Sequence, residues 1–168
     1  MRYTNFLDTL LIRGQSQQRV GAFTLVELLV IMAILGTLSA IAAPTYNNYI
    51  DKARNATAMA DIVEMGLRIA TFQAEHGSPP NTLAQAGVST LLDPWGRPYE
   101  YLRLQGVDKK DLHGAWRKDK WMNPLNADFD LYSKGKDGKS EPELSAHFSH
   151  DDIVRANNGA YVGLASEY

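Results

Sequence analysis

Hydrophobic and polar positions divide the chain into three stretches. Residues 1–22 are polar and basic, with QSQQ at 15–18. Phe23 to Ala43, FTLVELLVIMAILGTLSAIAA, is 21 residues long and holds one charge, Glu27, and three hydroxyls, Thr24, Thr37 and Ser39. A helix of that length rises ~1.5 Å per residue and spans about 30 Å, the thickness of a bilayer's hydrocarbon core. In lipid every backbone polar group must be paired internally, so a helix is expected. Beyond Pro44, the residues Tyr46, Ile50, Ala53, Thr57, Ala60, Val63, Leu67, Ala70 and Ala74 recur at spacings of three and four. That pattern predicts an amphipathic helix to His76, with Asp51, Lys52, Arg54, Asp61, Glu64, Arg68 and Glu75 mostly off the stripe. Gly77-Ser78-Pro79-Pro80 ends it. The two pieces form one element of about 50 residues, packed on a domain only by its second half.

The remaining pattern is shorter in period. Asn81 to Leu92 reads as a short helical or irregular segment. Asp93-Pro94-Trp95-Gly96-Arg97-Pro98-Tyr99 is a turn-rich run, with Trp95 as a core anchor. Aromatic and charged residues alternate over 99–104, and Phe129, Leu131 and Ser133 alternate with Asp130 and Tyr132; both runs predict strands. Between them, 105–127 is a long polar loop carrying Trp116 and Trp121 and a net charge of +2. It reads as a solvated surface loop whose tryptophans pack down or meet a neighbouring subunit. Its alternative is single-strand nucleic-acid binding, in which bases stack on aromatics. Asp152 to Gly159 is a short segment ended by an Asn-Gly turn, and Ala160 to Tyr168 a small apolar tail packed on the domain.

Composition narrows the class. After Pro44 about 125 residues remain, enough for one globular domain with a modest core. Formal net charge is -2, of which residues 1–22 carry +2 and the remainder -4, so bulk charge does not argue for a nucleic-acid partner. The chain has no cysteine, which removes disulfides and thiolate metal sites. Gly-Lys-Ser at 138–140 lacks the upstream glycine of a phosphate-binding loop, because position 133 is Ser. His147-x-x-His150 has no third nitrogen ligand at a natural spacing for zinc. No Ser/His/Asp or paired-acid constellation has a catalytic spacing, so no enzyme activity is expected.

Glu27 is the chemically distinctive residue of the apolar stretch. A carboxylate at bilayer depth costs about 2.5 kcal/mol or more without a partner, so it reads either as a functional residue or as an edge residue that snorkels out or sits protonated. Gly36 weakens a helix by about 1 kcal/mol relative to Ala. Pro44 removes the bond to the carbonyl of Ala40 and is expected to kink or break the helix.

Gly21-Ala22-Phe23-Thr24-Leu25-Val26-Glu27-Leu28, after a basic leader, resembles the processing motif of type IV pilins and type II secretion pseudopilins. That class usually has Gly directly before Phe; here Ala22 intervenes. A cut after Ala22 makes Glu27 the fifth residue of the mature chain, with Gly36 and Pro44 at the class's spacings. The resemblance thus implies that a prepilin peptidase removes residues 1–22 and N-methylates Phe23. It also implies a transmembrane and filament-core helix at 23–44 and a globular domain at 45–168. The Asp93–Tyr99 run and Ser133-Lys134-Gly135-Lys136-Asp137-Gly138 resemble segments of the major, G-type pseudopilin. In that class the second segment opens a calcium loop, which implies calcium held by Asp137, Asp151 and Asp152 with the carbonyls of Lys134 and Lys139. This chain departs from it: 13 residues separate Asp137 from Asp151, and the 105–127 loop is long.

The expected fold is therefore α+β, a pilin-like roll with a long N-terminal helix along a small antiparallel sheet. The expected function is structural: a pseudopilus subunit that polymerises through its apolar helix to drive protein export. Its alternative is a type IV major or minor pilin serving adhesion, motility or DNA uptake. Implied partners are further copies of the chain, the prepilin peptidase, minor pseudopilins, and an inner-membrane assembly platform with its ATPase; nucleic acid is not expected. Before assembly the chain is expected to cross the inner membrane once, N-terminus cytoplasmic and domain periplasmic. After assembly it belongs to a periplasmic filament.

Overall fold

The computed structural model describes residues 21–108 and 110–168. The expectation for the leader lies outside them, apart from Gly21 and Ala22. Chain contacts divide the molecule into two units, Met1–Ala43 and Pro44–Tyr168. One helix, α1 (Leu25–His76), supplies residues to both. Pro44 does not end it. The proline forfeits one N–H in a ladder of 52 residues, and the helical bonds on either side keep the backbone in place.

In the first unit α1 is apolar on every side, and Leu25, Met32, Leu38 and Ile41 are all largely exposed. No part of the membrane-length window is buried against the rest of the chain.

In the second unit the helix packs on a four-stranded antiparallel meander. The strands are β1 (Glu100–Arg103), β2 (Phe129–Ser133), β3 (Ile153–Ala156) and β4 (Tyr161–Leu164), hydrogen-bonded in that order. β1 and β2 pair through Glu100 with Tyr132 and Arg103 with Phe129, and β3 and β4 through Ile153 with Leu164. Together with the helix this is the expected α+β arrangement. The segments at 152–159 and 160–168, read above as a turn-ended piece and a tail, supply the third and fourth strands.

The pleat sends alternate residues of β2 to opposite faces. Phe129 and Leu131 join Ile153 and the helix residues Ala58, Ile62, Met65 and Ile69 in the main core. Trp95 and Tyr101 pack on that core from the side, and the Tyr101 ring sits tilted on Phe129. The opposite face is covered as well. Leu125, Leu144, Val154, Ala156 and Ala165 form a second core there, with Met122 and Tyr132 against it. The 105–127 segment is therefore not simply a solvated loop. Its second half roofs the sheet, while Trp121 stays 83% exposed.

The stripe read along the helix is also displaced. The buried positions are Ala58, Ile62, Met65 and Ile69, whereas Val63 and Leu67 are 58% and 69% exposed. Both stripes satisfy a helical period. Burying isoleucine and methionine removes more apolar surface from water than burying the alanine-rich stripe, so the bulkier one faces the sheet. Asp61 is positioned between the stripes and accepts a hydrogen bond from the Tyr99 hydroxyl at 2.7 Å. Burial and that carboxylate together push the Tyr99 phenol well above its usual range.

Truncation distinguishes the two stripes. Ile62→Ala and Ile69→Ala should each cost about 2–5 kcal/mol through lost transfer and a cavity. Val63→Ala and Leu67→Ala should stay within about 0.5 kcal/mol. Urea unfolding of the detergent-held chain, followed by tryptophan fluorescence, measures all four; the reverse ranking would put the other stripe against the sheet.

Candidate functional site

Two regions carry the chemistry singled out above, one in each unit. In the first, Gly21 and Ala22 are exposed and precede the helix without regular structure, followed by Phe23, 71% exposed. Thr24 then caps the helix. Its backbone N–H and its hydroxyl both donate to Glu27 Oε2 at 2.8 Å, and the Glu27 N–H donates to Thr24 Oγ1 at 3.2 Å. With Leu25 as the first helical residue, this is a reciprocal capping box. Both donations to the carboxylate end on Oε2; Oε1 accepts none among the described residues. Thr-x-x-Glu before an apolar run is the local sequence signal for this cap. A β-carbon on Gly36 would meet no atom within 4 Å, so nothing inside the chain demands glycine there.

The second region is built where the two segments resembling G-type pseudopilins meet. Asp93 accepts from the backbone N–H of Trp95 and of Arg97 through Oδ1, and from the Ser133 hydroxyl through Oδ2 at 2.6 Å. Arg97 reaches across and donates to the carbonyl of Gly135. Gly135 is left-handed at φ 60°, and a β-carbon on it would strike the Asp151 carbonyl, so the turn requires glycine.

The residues expected to hold calcium are placed as follows. Asp137 Oδ1 accepts from the Lys139 N–H at 2.7 Å, and the Asp137 N–H donates to Asp151 Oδ2 at 2.8 Å. The Lys134 carbonyl accepts from the Gly138 N–H at 3.2 Å, and Lys134 Nζ pairs with Glu100 at 2.5 Å. The Lys139 ammonium lies 4.7 Å from the centre of the Phe148 ring. Asp152 is fully buried; its Oδ2 receives Arg117 and the Ser140 hydroxyl, each at 2.6 Å. Burial pushes its carboxyl up to about 6, with Arg117 and Ser140 pulling the other way. Asp151 and Asp137 are thus brought together, but Asp152 faces a guanidinium. Among the described residues, no three His, Cys, Asp or Glu side chains are close enough to hold a metal ion. As folded, Asp152 does not join Asp137 and Asp151 in a three-carboxylate cluster.

Two arginines at this site were not visible as site residues in the sequence. Arg117 sat in a run of mixed charge that reads as a solvated face, yet it is 2% exposed. Arg97 was read only as part of a turn. Neither has a local signal, because each acquires its role from a partner dozens of residues away.

Residues 18–43 match the prokaryotic N-terminal methylation motif. The chain is 31% identical to the type II secretion system core protein G of Pseudomonas aeruginosa, over 74% of this chain and 89% of that protein. It is 32% identical to a fimbrial protein of Neisseria meningitidis, over 86% of this chain and 84% of that one. It is 28% identical to a type IV major fimbrial protein FimA of Dichelobacter nodosus, over 83% and 84%. No solved structure matches. An accessible Gly-Ala-Phe ahead of a capped apolar helix, a four-stranded meander behind it, and likeness along most of both chains converge on one conclusion: the chain belongs to the type IV pilin-like family, which unites type II secretion pseudopilins with type IV pilins.

Proposed function

We propose that this chain is the structural subunit of a type II secretion pseudopilus. The observation that carries the proposal is the first half of α1, an apolar surface with no cover from its own chain. Before assembly lipid covers it; in the filament the same helix of neighbouring subunits does. The likeness to core protein G and the joining of its two characteristic segments through Asp93–Ser133 and Arg97–Gly135 favour secretion. The leader's positive charge keeps the N-terminus in the cytoplasm and places the second unit across the inner membrane. A prepilin peptidase cuts after Ala22 and methylates the amine of Phe23. A membrane platform and its ATPase then lift the subunit, and the growing filament with its minor pseudopilins pushes cargo outward.

Within the filament Glu27 takes a second partner. Thr24 occupies Oε2, and Oε1 is the oxygen offered to the Phe23 ammonium of an adjoining subunit. Pairing two charges that are each costly in an apolar medium sets the axial register, while lateral packing of the helices supplies the adhesion. Gly36 and Pro44 let that helix adjust its course as neighbours close on it.

The pilus reading rests on a specific observation too, since likeness to the Neisseria fimbrial protein covers more of this chain than likeness to core protein G. Long surface fibres at native expression, with secretion intact in a deletion strain, would replace secretion by adhesion, motility or DNA uptake.

Mass analysis of the mature N-terminus should give N-methyl-Phe23; methyl-Ala22 would move the cut by one residue. Glu27→Ala should leave cleavage largely intact and stop assembly. One stranded ammonium at about 2.5 kcal/mol weakens subunit addition roughly 70-fold. Normal filaments of that variant, counted by electron microscopy, would end the pairing account.

A further inference from the structure

The two stretches that depart from the compact pseudopilin pattern, the 105–127 loop and the lengthened acidic loop, meet each other around one side chain. Arg117 Nη1 donates to Ser140 Oγ and to the Glu141 carbonyl, both at 2.5 Å, and Nη2 donates to Asp152 Oδ2 at 2.6 Å. A hydroxyl, a carbonyl and a carboxylate thus converge on one buried positive charge. Mixed oxygen donors of this kind are what a hard cation takes. The fourth side is closed by Tyr132, whose ring centre lies 4.4 Å from the guanidinium carbon.

The backbone fixes the guanidinium in that place. The Arg117 N–H donates to Asp130 Oδ2 at 2.6 Å, and its carbonyl accepts from Leu125 at 2.8 Å. Next to it, Lys118 donates to the Pro142 carbonyl at 2.9 Å and accepts from Leu144 at 3.0 Å. Residues 117–118 are therefore stitched onto 142–144, and the roof over the second face of the sheet is sewn to the acidic loop.

We infer that the Arg117 guanidinium is a built-in cation for the acidic loop, doing there the ordering that a bound calcium ion would otherwise do. Charge and geometry both favour it. A guanidinium keeps its charge at any physiological pH and presents its donors in a fixed planar fork. Being covalently attached, it does not depend on the ion content of the compartment. A divalent ion brought to Asp152 would stand beside this buried positive charge and be repelled by it. Two of the turn's carbonyls are engaged as well, Gly135 by Arg97 and Lys134 by the Gly138 N–H. Arg117 Nε and Asp152 Oδ1 remain buried without partners, so the pair is held through one nitrogen and one oxygen rather than as a two-pronged fork. The inference does not depend on whether the filament is a pseudopilus or a pilus.

The test uses the full detergent-held chain, with thermal melting and hydrogen exchange of residues 134–152 read in excess EGTA and in millimolar calcium chloride. For the unaltered chain both readouts should be the same in the two conditions. Arg117→Gln should lower the melting temperature by on the order of 10 °C and open the loop to exchange. Arg117→Ala should vacate the cradle, so that calcium chloride, but not magnesium or sodium chloride, restores protection at 134–152. Loss of stability of the unaltered chain in EGTA, or Arg117→Gln with unchanged melting and a protected loop, would overturn the inference. So would an Arg117→Ala chain whose loop ignores calcium. If both variants fail to fold, the EGTA comparison on the unaltered chain still decides the question.

Discussion

Everything in this molecule depends on an apolar surface that its own chain leaves bare. Twelve large hydrophobic side chains between Phe23 and Ile41 are exposed. At about 1.5–3 kcal/mol each, leaving them in water would forfeit roughly 20–35 kcal/mol. That exceeds the whole net stability of an ordinary domain, about 5–15 kcal/mol. The stretch must therefore be covered from outside, first by lipid and then by other copies of itself. A surface apolar on all sides adheres without choosing a register. In the proposed filament the register comes from a directional polar contact, and Glu27 is the one charged group in the stretch.

The second unit solves a different problem with the same kind of material. A small sheet has two faces, and a single helix covers only one. Here Ile62, Met65 and Ile69 of α1 cover the face of Phe129 and Leu131. The other face, with Asp130, Tyr132 and Val154, is roofed by the segments around Leu125 and Leu144. That roof lacks regular secondary structure, so its cohesion comes from polar groups held in fixed geometry. Asp130 accepts from the Arg117 N–H at 2.6 Å and from Asn126 at 2.8 Å, and the Arg117 guanidinium pairs with the buried Asp152 at 2.6 Å. Buried ionic contacts of this kind contribute little against a well-packed apolar core, yet breaking one leaves a bare charge. They make the roof specific rather than merely adherent.

The parts legible in the sequence were those with a local period or a local motif. The long helix to His76 and strands near 100–103 and 129–133 follow from spacing alone, and the family follows from eight residues around Phe23. The buried stripe was misassigned because α1 carries two apolar rows, and which one faces the sheet depends on a partner that is distant in the chain. β3 and β4 were missed because Ile153–Ala156 is buried on both faces and Tyr161–Leu164 includes Gly163, so neither shows the alternation of a half-exposed strand. The capping box at Thr24 has a local signal too, Thr-x-x-Glu at the head of the apolar run. Arg117 was not readable at all, since its partners at Ser140, Glu141 and Asp152 come from another loop.

The central claim is that Glu27 exchanges an internal capping role for a contact between subunits. The most direct measurement is solid-state NMR on filaments assembled from two populations, one carrying a 15N label on the amine of Phe23 and the other a 13C label on the Glu27 carboxylate. The account predicts a nitrogen–carbon correlation that can arise only between different subunits. A filament with no such correlation, in which Glu27 stays bound only to Thr24 of its own chain, would contradict it.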